Sequence, residues 1–125
     1  MELAVPMRKI LAVMTIANEN IEPDDFARIR KIIEDFTETS VSDENILEDF
    51  KTAIVDPDAV FAELQNLSSS LSELEKETMI RAAALLALED DNFQEWKKVM
   101  LVKSAEALGF TMQRFAEILS DMEFE

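Results

Sequence analysis

Residues 10–36 read ILAVMTIANENIEPDDFARIRKIIEDF, and residues 82–108 read AAALLALEDDNFQEWKKVMLVKSAEAL. Each stretch opens on an apolar run, crosses a polar, acidic segment, and continues with apolar residues at intervals of three and four. A shift of 72 residues lays the second half of the chain over the first: Met7 meets Met79, Ala12 meets Ala84, Asn20 meets Asn92, Lys31 meets Lys103 and Glu34 meets Glu106. Ile21 with Phe93, Ile29 with Leu101, Ile33 with Ala105 and Phe36 with Leu108 agree in class. Past three extra residues in the first copy, Ser42 falls on Thr111, Ile46 on Phe115 and Phe50 on Leu119. Each half therefore reads as apolar helix, acidic loop, amphipathic helix, turn and helix. A unit of about 60 residues buries little surface by itself, so two such units are expected to share one core. The expected fold is all-α: one domain over residues 1–125, a bundle of about seven helices from two duplicated repeats, about 3–67 and about 72–123.

Composition points the same way. The chain has one Gly, three Pro and no Tyr, and it is rich in the Ala, Leu, Met, Glu and Lys that lose least on entering a helix. Met7, Ile10, Leu11, Met14 and Ala17 recur at helical spacing. From Ile10 to Ala17 only Thr15 is polar, which predicts a first helix buried nearly all round, with Arg8 and Lys9 as its wet end. Pro23 suits a first helical position, and Phe26, Ile29, Ile32, Ile33 and Phe36 make the stripe of a second helix. Ser42 can cap a third, with Ile46, Leu47, Phe50 and Ile54 inward. Asp56-Pro57 reads as cap and first turn of a fourth, with Val60, Phe61, Leu64 and Leu67 inside.

Ser72-Glu73-Leu74-Glu75 has capping-box spacing and opens a fifth helix that runs to about Leu88, and Asn92-Phe93-Gln94-Glu95 opens a sixth in the same way. The small residues between Ala82 and Ala87 suit a buried helix that a neighbour approaches closely. In the sixth helix Phe93, Trp96, Met100, Leu101, Ala105 and Leu108 are expected inward. Gly109, the lone glycine, follows Leu108 as a left-handed helix stop, with Phe110 as its hydrophobic contact and Thr111 as the cap of a last helix. That helix would use Met112, Phe115, Leu119 and Met122. A tryptophan at inward spacing beside Lys97 and Lys98 reads as core, with an exposed binding anchor as the alternative. The seven Met read as gap-filling core in preference to a promiscuous groove.

Charge and chemistry set the functional limits. Twelve Lys+Arg against 27 Asp+Glu give a net charge of -15, with no His and no Cys. Disulfides, thiol and imidazole chemistry, and zinc, haem or iron–sulfur sites of the usual kinds are excluded. The net charge argues against nucleic acid and anionic membranes as partners, since both are bound through Lys/Arg clusters. No apolar run approaches the 18 or so residues of a membrane span, and MELAVP lacks a basic signal-peptide start, so the expected location is cytoplasmic.

Between Asn18 and Asp58 lie 13 acidic and four basic residues, and Glu89, Asp90 and Asp91 add a second acidic loop. Three readings are open. The carboxylates can complement helix N-termini, as at Asp24, Asp25 and Glu95, and solvate the surface. They can bind a hard divalent cation such as calcium, magnesium or manganese, for which Glu89, Asp90 and Asp91 are the metal candidates. They can dock a basic partner protein through Asn18, Glu19, Glu22, Asp24, Asp25, Glu89, Asp90, Asp91 and Asn92. An EF-hand is excluded: counted from Asn18, its glycine and glutamate positions are Pro23 and Ile29, and counted from Asp90 they are Glu95 and Leu101. No pair among the carboxylates is singled out for acid–base work, so a catalytic role is not expected.

The chain resembles the TerB-like domains of tellurite resistance, whose halves carry a pattern like Ala-Asp-Gly-x-apolar-Ser-Pro-Glu-Glu ahead of an amphipathic helix. Ala17, Ile21, Pro23, Asp24 and Asp25 fall on that pattern, and AEALGF, residues 105–110, is similar to the end of the second helix of the family's repeat. The sequence departs from it at the Asp-Gly pair, which is Asn18-Glu19 in the first copy and Asp90-Asp91 in the second. The resemblance implies a duplicated helical bundle and a non-catalytic interaction module in a metal- or tellurite-stress system. Its partner would be a protein with a basic surface. A divalent-cation sensor and an acidic, immunity-type inhibitor of a basic nuclease are the alternatives.

Overall fold

The computed structural model describes residues 3–16, 22–88 and 95–122, and the side chains of all of these except 88 and 95–97. Seven helices occupy the described residues: α1 (Ala4–Ile16), α2 (Pro23–Thr37), α3 (Asp43–Val55), α4 (Pro57–Ser68), α5 (Glu73–Leu88), α6 (Glu95–Ala107) and α7 (Met112–Asp121). No strand occurs among them, and the all-α expectation holds.

α1 is the axis of the bundle. Met7, Ile10, Leu11, Ala12, Val13 and Met14 are all buried, a run that leaves no side of the helix free for water. The lone hydroxyl in that run, Thr15 Oγ1, donates back to the Leu11 carbonyl at 2.9 Å, so it is buried with its hydrogen bond made. Five helices cover this surface: α2, α3, α4, α5 and α6 each pack on α1. α5 is the second hub, packed on α1, α2, α6 and α7, with Met79, Ile80, Ala82, Ala83 and Ala84 fully buried. Its small side chains let neighbouring backbones come close where longer ones would overpack. Reading α1, α2 and α3 as α5, α6 and α7 leaves the pairing scheme among these six helices unchanged, with α1–α6 and α2–α5 exchanged for each other. α4 stands outside that exchange and packs on α1, α3 and α6.

Local signals fix the helix ends. Ser42 Oγ accepts from the Asn45 amide at 3.2 Å, Asp56 Oδ1 from Ala59 at 3.2 Å with Pro57 at the first position, and Thr111 Oγ1 from Arg114 at 3.1 Å. At α5 the capping box is complete: the Glu75 amide donates to Ser72 Oγ at 3.1 Å and the Ser72 amide to Glu75 Oε1 at 2.8 Å. The Asn92 box lies outside the described residues. α6 stops as the sequence predicts. Gly109 takes φ +86°, its amide donates to the Glu106 carbonyl at 3.0 Å and that of Phe110 to Ala105 at 3.0 Å, the paired bonds of a Schellman stop. Phe110 and Ala105 are both buried in the core, which supplies the accompanying apolar contact. α2 also ends on a left-handed residue, Glu38 at φ 58°.

Three inward assignments are corrected. Leu47 and Ile54 of α3 are 43% and 60% exposed, because the inward set is Ile46, Asp49, Phe50 and Ala53. That i, i+3, i+4, i+7 set puts Leu47 and Ile54 roughly a quarter-turn off the buried direction. Met112 is likewise exposed: it is the first residue of α7, while Phe115 and Ile118 carry that helix's buried face. Arg8 and Lys9 do not form a wet end, since their side chains are only 17% and 18% exposed and pair with Asp49 of α3.

Gly109→Ala tests the helix stop. An added Cβ would meet nothing within 4 Å, so the cost is backbone strain alone. A loss of about 1 kcal/mol is expected, read as a fall of about 4 °C in Tm by calorimetry.

Candidate functional site

The sequence candidates divide into those the structure describes and those it does not. Asn18, Glu19, Glu89, Asp90, Asp91 and Asn92 lie outside the described residues, as does the side chain of Trp96. Glu22, Asp24 and Asp25 come together at the start of α2. Asp25 Oδ2 accepts from the Glu22 amide at 2.8 Å, and Asp25 Oδ1 faces Arg28 Nη1 at 3.4 Å. Asp25 is thus committed to beginning its helix, whereas Glu22 and Asp24 are exposed. No group of three or more acidic residues among those described is placed to hold a metal ion.

The segment from Glu22 to Asp58 carries about half of the chain's net negative charge. Residues 22–58 hold twelve acidic and four basic residues. Several carboxylates there are paired: Asp43 with Arg30, Glu48 with Lys51 at 3.4 Å, and Asp49 with Arg8. Asp24, Glu34, Asp35, Glu38 and Glu44 are exposed and make no ion pair among the described residues. Beside them α3 leaves Leu47, Ile54 and Val55 in solvent, Val55 at 84% exposure. An isolated apolar residue on a surface is ordinary, but Leu47 and Ile54 share one flank of α3, with Val55 about a quarter-turn round the helix from Ile54.

Sequence reasoning missed Asp49, the one buried carboxylate among the described residues, at 8% exposure. Arg8 Nε stands 2.8 Å from Asp49 Oδ2, Lys9 Nζ 4.0 Å from Asp49 Oδ1 and 3.3 Å from Glu63 Oε1. The Arg8–Asp49 contact is a close charge pair without an aligned hydrogen bond. Burial pushes the Asp49 carboxyl above its ordinary value, against the opposing pull of the Arg8 and Lys9 charges. Desolvation outweighing attraction is what a buried ion pair commonly shows. At the positions that the repeat shift equates with Arg8 and Asp49, the second half has Ile80 and Ile118, both fully buried in the paired helices α5 and α7. The signal available in the sequence was a carboxylate at inward spacing with Ile46, Phe50 and Ala53, together with two cations in an otherwise apolar helix.

A second ionic group ties α7 to α5. Arg81 bridges Glu77 at 2.8 Å and Asp121 at 2.7 Å, and Arg114 reaches Glu77 at 3.2 Å. The hydrogen bond from Arg81 holds the Glu77 carboxyl below its ordinary value. An open groove of about 460 Å³ runs between α4 and α6, lined by Asp58, Phe61, Ala62, Gln65, Lys103, Glu106 and Ala107, with Lys103 Nζ 6.0 Å from the Phe61 ring centre. Asp49 lines neither this groove nor the smaller apolar one beside Val99 and Val102. No helix among the described residues is long and apolar enough to cross a membrane. Compared with known protein families, curated proteins and solved structures, the chain matches none.

Two outcomes follow from the charges. Asp49→Ala leaves Arg8 without its counter-charge and is expected to cost about 3 kcal/mol, the low end of the usual range because Arg8 keeps partial solvent contact. The double variant Arg8→Ile/Asp49→Ile, which copies the second half, should keep or raise the wild-type Tm. Denaturant melts of both variants decide this. Glu77 acts in the opposite sense to Asp49 as pH changes. Its depressed value contributes stability above the ordinary glutamate range, and that contribution is lost as pH falls through the depressed value. Glu77→Gln should therefore flatten the acid limb of a stability–pH profile while leaving the fold intact at neutral pH.

Proposed function

We propose that this chain is a non-catalytic, TerB-like interaction module of duplicated helical build, which presents an acidic surface to a basic partner protein in a tellurite- or metal-stress response. One observation carries the reading: five carboxylates between Asp24 and Glu44 are exposed and unpaired among the described residues, and α3 also exposes Leu47, Ile54 and Val55. An interface combines apolar contact area, as Leu47, Ile54 and Val55 would supply, with charges that steer the partner. The exchange-invariant pairing of the helices, the caps Ser42 and Thr111 at equated positions, and the left-handed ends of α2 and α6 support the duplicated build. For the non-catalytic part, the support is that Asp49, the carboxylate whose proton affinity burial raises, is closed off by Arg8 and Lys9 and lines no described groove.

The test is capture of the partner by the immobilised domain at about 0.1 M and about 1 M salt, between which the screening length falls from about 10 Å to about 3 Å. Binding should weaken strongly at the higher salt. It should weaken equally in the charge-neutralised variant Glu34→Gln/Asp35→Asn/Glu38→Gln/Glu44→Gln at the lower salt. Capture that ignores both changes would remove the acidic surface from the explanation.

A further inference from the structure

We infer that the exposed strip on α3 receives a basic amphipathic helix of the partner protein, an inference that rests on the acidic-module reading above and names the element the module binds. Leu47 and Ile54 are seven residues apart and so lie on one flank of α3, two turns or about 10 Å apart along its axis. Val55, the last residue of α3 and about a quarter-turn round the helix from Ile54, stands at the α3–α4 corner and is the most exposed of the large apolar side chains described. The strip is a ridge of side chains on a helix, the shape that packs into the groove between rows of side chains on another helix.

Other common modes of peptide recognition lack their requirements here. Addition of a strand needs a sheet edge, and no strand exists among the described residues. A polyproline ligand needs an aromatic-lined groove, and the exposed apolar residues of α3 are aliphatic. A phosphorylated or acidic peptide needs a cluster of arginines. The exposed side of α3 offers only Lys51, already paired with Glu48 at 3.4 Å. Charge gives the partner's sign: Glu44, one turn before Leu47, is exposed and unpaired among the described residues, Glu48 and Lys51 offset each other, and Glu34 and Asp35 stand exposed on α2. A helix with one apolar face flanked by Lys and Arg complements both parts of this surface.

The probes are three synthetic peptides of about 18 residues, about five helical turns. One is a Leu/Lys helix with a single apolar face, one has the same composition scrambled to remove that face, and one has Glu replacing Lys. Binding to the full chain is followed by NMR shift mapping and titration, with Ile54→Asp and Val55→Asp as test variants and Val99→Asp, an exposed apolar residue on α6, as the control. Circular dichroism checks that each variant folds. The expected result is binding of the basic amphipathic peptide alone, with shifts along α3. Affinity should fall about tenfold or more in the two α3 variants and stay unchanged in the control. If the scrambled basic peptide binds as tightly, or both α3 variants bind as the wild type does, the helix-docking inference is overturned while the acidic-module reading stands. If neither basic peptide binds at low salt, both fall. Reversible self-association of the wild type that Ile54→Asp abolishes would also overturn the inference, since the strip would then be covered by a second copy of the chain.

Discussion

Everything in this bundle is arranged around the need to cover α1. A helix that buries Met7, Ile10, Leu11, Val13 and Met14 has no solvent face, so it requires neighbours on every side. Two helices cannot enclose a third, and even the other members of its own half do not suffice, since α5 and α6 complete the enclosure. Hydrophobic burial, the largest favourable contribution to folding, is therefore shared between the halves and not contained within either. The buried alanines of α5 follow from the same requirement, because a second hub can approach a fully enclosed axis only where its side chains are short.

Much of this was legible in the sequence because its signals are local. A capping serine, an Asp-Pro pair, a Ser-x-x-Glu box and a glycine behind a helix each act within four residues, so Ser42, Asp56, Ser72, Thr111 and Gly109 could be read without the fold. Tertiary choices were not legible. α3 offers a broad apolar arc, Ile46, Leu47, Phe50, Ala53 and Ile54, and its sequence alone does not say which part faces α1. The helix turns so that Asp49 meets Arg8, a residue 41 positions earlier, and that rotation leaves Leu47 and Ile54 outside. The exposed apolar residues of α3 thus arise where local periodicity gives the wrong inward face.

The Arg8–Asp49 pair and the exposed strip are for this reason two aspects of one arrangement. Asp49 lies with Ile46, Phe50 and Ala53 on the buried face of α3, so the ion pair and the apolar face favour the same rotation of the helix. Any other rotation would separate Asp49 from Arg8 and leave a buried charge without its partner, which is costly. The burial cost that raises the Asp49 carboxyl's proton affinity accompanies a single orientation of α3, and that orientation holds the apolar strip in solvent.

The central position of α1 has a bearing on how the chain is made. α1 precedes α5 and α6 in synthesis, so the most apolar helix of the molecule emerges long before the surfaces that enclose it. Incomplete bundles that expose such a helix are prone to associate. The segment that follows, residues 22–58, has twelve acidic and four basic residues, and like-charged nascent chains repel one another. Negative charge next to an exposed apolar helix opposes such association.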